Sequence, residues 1–180
     1  MLAGTLSETL QRLENAANAA HRPVPALLAV SKRQTAAAGA ELARAGQRAF
    51  GENYVQEAQD KIGELAGMGL EWHLIGHLQS NKADVAARLF DWVQTVDRHK
   101  LIGALSRYRP ADRAPLNVLI QVNIDDEASK HGCRPEEIDA LADEIAGQSL
   151  ALMWLPWSTN GWRVVATCAI ALPSWCRARG

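Results

Sequence analysis

Ala26-Leu-Leu-Ala-Val-Ser-Lys32 is the stretch on which the reading of this chain turns. Residues 26–30 are an unbroken apolar run, preceded by Pro25 and closed by a serine and a lysine. A short apolar run after a proline predicts a strand buried on both faces. In a parallel sheet, Lys32 then stands at the C-terminal end of that strand, where such sheets carry their chemistry. A lysine in that position has two readings. It is a solvated loop residue, or it is an amine that forms a Schiff base with a carbonyl cofactor.

Working outward, Leu2, Leu6, Leu10, Leu13 and Ala17 recur at three- and four-residue steps, one apolar stripe of a helix. Thr5 with Glu8 offers a capping box, and His21-Arg-Pro23 ends the helix. After Lys32, the alanine-rich segment Thr35 to Arg44, closed by Gly46, reads as a helix. Arg48 to Gly51 is a second strand and Tyr54 to Leu65 an amphipathic helix. Leu70 to Gly76 is a third strand, and Ser80 caps a helix that includes Ala83 to Leu89. Asp91 to Asp97 is a fourth strand, followed by a helix from His99 to Tyr108 that stops at Pro110. Ala114 to Ile124 is a fifth strand, and Pro135 to Ala146 is a helix with proline at its start and Gly147 beyond its end.

Strand and helix therefore alternate, and each helix must cross back, so the strands are expected to be parallel. The fold class is α/β, either a (β/α) barrel of TIM type or an open doubly wound sheet. A complete eight-unit barrel usually needs about 250 residues. Here five units are spent by residue 147 of 180.

Composition narrows the function. With 48% hydrophobic and 22% charged residues the chain is globular rather than disordered. A net charge of −1 suggests neither a nucleic-acid nor an anionic-membrane partner. No run approaches the ~18 apolar residues of a membrane span. Three cysteines without metal-ligand spacing and no basic, apolar leader argue for a reducing cytoplasm. Charge is unevenly placed: residues 1–150 sum to −4, whereas 151–180 hold no acid, three arginines and four of the six tryptophans. That shift is the clearest boundary in the chain, dividing it into 1–150 and a Trp/Arg-rich tail at 151–180.

Polar clusters close the strands: Ser31-Lys32, Gly51-Glu-Asn-Tyr54, Gly76-His-Leu-Gln-Ser-Asn-Lys82, Thr95-Val-Asp97 and Val122-Asn-Ile124. If the strands are parallel these share one rim, where glycines admit a ligand close to backbone. Asn53 offers both a donor and an acceptor to a ring hydroxyl. His73 and His77 are four apart, but a strand followed by a turn does not aim both at one ion, so no metal is expected. His73 is expected to pack or hydrogen-bond in the core. Cys133 has no paired cysteine and is not expected to act as a nucleophile.

These pieces, in order and spacing, resemble the pyridoxal phosphate homeostasis proteins. The matching segments are Ala29-Val-Ser-Lys32, Phe50-Gly-Glu-Asn-Tyr-Val-Gln-Glu57, Trp72-His-Leu-Ile-Gly-His-Leu-Gln-Ser-Asn-Lys82, Val96-Asp97, and Gln121-Val-Asn-Ile124 followed by Lys130-x-Gly132. The likeness covers about residues 1–148. It implies an alanine-racemase-like barrel with about five of eight βα units present. It implies that pyridoxal 5'-phosphate is held as a Schiff base on Lys32, with Asn53 lining the site and His77 on the same rim. It further implies a cytoplasmic monomer that buffers the cofactor without catalytic turnover and passes it to apo enzymes. A free lysine has a pKa of ~10.4. Burial at the strand end is expected to lower that value and favour attack on an aldehyde.

An enzymatic alternative, a racemase or lyase on amino acids, needs a second acid/base group, and Tyr54 is the only tyrosine at a strand end. The family's phosphate cradle and the arginine facing the pyridine nitrogen lie in its last strands, and residues 151–180 show no such pattern. Leu152-Met-Trp-Leu-Pro156 echoes the sixth strand; beyond it the likeness ends. The expectation is a frameshifted, truncated product with open sheet edges and weak cofactor retention, or a remnant without function.

Overall fold

A computed structural model describes residues 2–124, 130–148 and 150–153. The Trp/Arg-rich tail expected over 151–180 lies outside them from residue 154 onward. The chain divides at the His73–Leu74 bond into two compact units.

The first unit opens with α1 (Leu2–Ala19), which buries Leu6 and Ala17. Leu2 and Leu10 stay exposed, so the apolar stripe is only half used. The helix begins at Leu2, which puts Thr5 inside it and overturns the Thr5–Glu8 capping box. The chain leaves the helix through His21, at a positive φ of 51°. β1 covers only Ala29–Val30 and Val30 is 51% exposed, so this strand is not buried on both faces as its apolarity predicts. Pairing explains the difference, because β1 runs parallel to β2 (Ala49–Glu52) alone among the described strands.

α2 (Ala36–Arg44) starts where predicted, with the Thr35 side chain accepting from the Ala38 N–H at 3.2 Å. α3 (Val55–Glu64) follows β2 and buries Val55, Ala58 and Lys61. β3 (Glu71–Leu74) is next, joined to β2 by the Glu71 N–H donating to the Arg48 carbonyl at 2.9 Å. Phe50 and Trp72 face one another with ring centroids 5.5 Å apart. His73 is buried and paired with Glu71 at 2.8 Å, the core role expected of it.

In the second unit, a 3-10 turn at Ser80–Lys82 precedes α4 (Ala83–Leu89). Ser80 is therefore inside the turn and does not cap the helix; Gln79 precedes the turn and Lys82 stands at the start of α4. β4 (Trp92–Val96), α5 (His99–Tyr108) and β5 (Leu116–Ile120) follow. Pro135–Glu137 forms a 3-10 turn that leads into α6 (Ile138–Ala146), with Glu137 accepting from the Arg134 N–H at 2.8 Å. β6 (Leu150–Leu152) is a sixth strand, two residues earlier than its sequence echo.

β4, β5 and β6 are parallel neighbours in chain order, registered by Val93 against Val118 and Val118 against Leu152. Val93, Val96, Leu116, Val118 and Leu119 form the core with Leu101, Ile102, Leu105, Leu141 and Ile145 from the helices, all essentially fully buried. The described chain therefore holds five strand–helix units and a further strand. Among the described residues no helix is long and apolar enough to cross a membrane.

Candidate functional site

Parallel pairing sets the first part of the site. Val30 lies opposite Gly51, and the Ser31 N–H donates to the Gly51 carbonyl at 2.9 Å. Carried one step on, this register brings Ser31 beside Glu52. The side chains agree, for the Ser31 hydroxyl donates to Glu52 Oε1 at 2.6 Å. Two of the residues read from the sequence lie just past the ends of adjacent strands, Lys32 two residues beyond β1 and Asn53 one beyond β2.

Lys32 sits in a four-residue turn closed by the Gln34 N–H donating to the Ser31 carbonyl at 3.0 Å. Arg33, third in the turn, has φ 60°, the positive value that a type II turn demands there. Lys32 itself is exposed and Asn53 is partly buried. The expectation that Lys32 would be desolvated is therefore corrected: burial falls on its neighbour Ser31, 5% exposed, and not on the amine-bearing side chain.

Beneath the turn lies a buried polar group that the sequence reading missed. Lys61 is 4% exposed and Glu52 is fully buried. The Lys61 ammonium donates to Glu52 Oε1 at 2.6 Å, to the Ser31 carbonyl at 2.7 Å and to Glu57 Oε1 at 3.3 Å. Glu57 in turn accepts the Arg33 N–H. Lys61 and Glu57 are one helical turn apart on α3, which was the available signal. Their joint approach to Glu52 is invisible until α3 packs on β2.

The second unit holds His77, the third residue read from the sequence. Its Nδ1 lies 3.8 Å from Asp97 Oδ2, and its ring stacks on His131 with centroids 3.6 Å apart and planes 14° apart. Asp97 is also paired with Arg98, whose guanidinium donates to the Leu78 carbonyl at 2.9 Å. Thr95 Oγ1 donates to the Gly76 carbonyl at 2.8 Å, fixing the turn ahead of His77.

The His77 pKa is held below 6.5, chiefly by burial and then by His131 and Arg98, with Asp97 opposing. Nitrogen and oxygen atoms of His77, Asp97 and His131 lie within 4.8 Å of one another. Imidazole lone pairs lie in the ring plane, and near-parallel stacked rings do not converge them on one ion. His131 reaches this place because the chain returns against β5, where Val122 bridges Cys133. Gly132 makes that return possible, at φ 133° and with backbone so close that a Cβ would lie 2.6 Å from the Asn123 nitrogen.

The family described as alanine racemase, N-terminal domain, matches residues 5–154. A curated pyridoxal phosphate homeostasis protein of Pseudomonas aeruginosa is 50% identical over 147 residues, which are 80% of this chain and 64% of that one. Its counterpart in Escherichia coli K12 is 56% identical over 123 residues, 67% of this chain and 53% of that protein. The chain thus spans between about half and two thirds of the length of these relatives.

Among solved structures, PipY of Synechococcus elongatus PCC7942 with PLP bound matches with a TM-score of 0.69 at 34% identity, over 89% of this chain and 73% of that one. Alanine racemase from E. faecalis matches with a TM-score of 0.57 at 18% identity, over 79% of this chain and 40% of that one, a likeness of fold alone. The α/β architecture predicted from the sequence, a partial barrel of the alanine racemase N-terminal type, is borne out, as is the resemblance read from the motifs. With residues 5–154, 150 of its 180 positions, matched, the chain belongs to the alanine racemase N-terminal domain family.

Proposed function

We propose that this chain binds pyridoxal 5'-phosphate covalently through Lys32 and takes part in keeping the cofactor available inside the cell. The observation that supports the reading is that Lys32 and Asn53 lie just past the ends of the adjacent parallel strands β1 and β2, with the turn that carries Lys32 held from beneath. The donor set fits. When bound, the cofactor supplies an aldehyde carbon that accepts a primary amine, and a ring hydroxyl that seeks a hydrogen-bond partner.

Lys32 is the one primary amine of this turn, and its side chain is exposed. Asn53 brings an amide to the neighbouring strand end. His77, in the second unit, belongs to the same reading, its lowered pKa favouring the neutral ring that can accept or donate a hydrogen bond. The relatives named pyridoxal phosphate homeostasis proteins and the neighbour solved with PLP support the choice of cofactor. Passage of the cofactor to apo enzymes belongs to the same reading.

The test is to mix the purified chain with pyridoxal phosphate, reduce with borohydride and map the modified lysine by mass spectrometry. The expected result is one dominant adduct at Lys32, lost in Lys32→Ala. Even labelling of many lysines, or none at position 32, overturns the proposal.

A further inference from the structure

The turn that carries Lys32 is gripped on both sides of that residue by groups buried in the first unit. Before Lys32, Ser31 is held twice, through its hydroxyl on Glu52 at 2.6 Å and through its carbonyl on Lys61 at 2.7 Å. After Lys32, the Arg33 N–H is held by Glu57. The three holders are themselves joined, since Lys61 bridges Glu52 at 2.6 Å and Glu57 at 3.3 Å.

Such a buried pair is seldom justified by stability. Removing two charges from water costs about as much as their attraction returns, and an apolar pair of equal volume often folds better. Glu52 carries a further cost, for its Oε2 is buried with no hydrogen-bond partner among the described residues. Arg33 adds backbone strain, standing at φ 60° where glycine would be unstrained. Three unfavourable features converge on one turn, and what they share is the fixed path of the backbone through Lys32.

We infer that Lys61, Glu52 and Glu57 are positioning residues for Lys32: a buried clamp that fixes the Ser31–Gln34 turn so that the amine is presented in one place. The inference rests on the reading of Lys32 as the cofactor-binding amine and deepens it. None of the three need touch the cofactor. Lys61 acts as a structural cation, engaged by two carboxylates and a carbonyl, and Lys32 is left as the reactive amine.

Glu57 gives the cleanest test, because it is 29% exposed and its loss leaves the Lys61–Glu52 pair intact. Glu57→Ala removes the acceptor for the Arg33 N–H, whereas Glu57→Gln keeps an amide oxygen there. Amide hydrogen exchange is measured on the full chain without cofactor, and the rate of borohydride-trapped adduct formation at Lys32 is measured alongside. Glu57→Ala is expected to speed exchange at residues 31–34 and to slow the adduct, each on the order of tenfold. Exchange in α5 should stay as in the wild type, and Glu57→Gln should recover most of both losses. Lys61→Met, if it folds, should show the larger effect.

Unchanged exchange at the turn, or faster exchange with an unchanged adduct rate, overturns the clamp and leaves the cofactor assignment standing. A wild-type chain that takes no adduct at Lys32 overturns the cofactor assignment itself, while exchange still reports on the grip.

Discussion

Lys61 Nζ and Glu52 Oε1 are 2.6 Å apart, and neither side chain reaches solvent to any useful extent. The pair joins a helix to a strand through charges that cannot be rehydrated singly. Lys61→Met should therefore cost about 3–5 kcal/mol, since it strands a buried carboxylate. The double change Lys61→Met with Glu52→Leu should cost much less than the sum of the single changes. Urea unfolding of the four chains gives the coupling directly, and additive losses would show that the pair does not act as a unit.

Acid should weaken the second unit through His77. Its folded pKa lies below 6.5, so between 6.5 and that lowered value the unfolded chain takes up a proton that the native chain refuses. Stability from this group is complete above pH 6.5 and falls as pH drops through the window. His131→Ala removes one of the lowering influences, and should shrink the loss between about pH 7.5 and pH 5.5. Urea midpoints at the two pH values check this; equal losses in both chains would exclude His131 as a contributor.

Gly132→Ala should destabilise the return of the chain against β5. The residue sits at φ 133° and the new methyl would meet the Asn123 nitrogen at 2.6 Å and the Val122 carbonyl carbon at 2.7 Å, both backbone atoms. The expected loss is about 3 kcal/mol. Gly103→Ala, at an open helical position, is the control and should cost nothing. Thermal melts of the two variants decide the point.

Cys133 should be chemically silent in the native chain. Burial pushes its thiol up to about 12, with Glu137 and Asp97 adding to the rise. At pH 8 the thiolate is then roughly one part in ten thousand. Iodoacetamide should leave the Cys133 peptide unmodified in buffer and alkylate it in urea, as peptide mapping would show. Prompt native labelling at Cys133 would mean that the bridge to Val122 opens readily.

Much of this fold was legible because local chemistry and tertiary packing agree. Thr35 caps α2 and Pro135 opens the turn before α6, as their residue types suggest. α5 runs from His99 to Tyr108 with the bounds that its pattern gives. Thr5 and Ser80 mislead for one reason. Each is a competent cap, but the helix hydrogen bonds begin elsewhere, at Leu2 and at Ala83. β1 misleads differently, since an apolar run reports a wish to be buried and cannot say how many strands come to bury it.

The sequence by itself determined the alternation of strand and helix, the parallel sense that follows from it, and the seat of Lys32 and Asn53 at strand ends. Those are short-range properties, carried by apolar period, proline and glycine. Only the tertiary structure decided what holds Lys32, because Ser31, Glu52, Glu57 and Lys61 meet through strand register and helix packing. It also decided that His77 stacks on His131, 54 positions along the chain. A hydrogen bond needs its atoms within about 3 Å, and no spacing rule along a chain can supply that condition for residues brought together by folding.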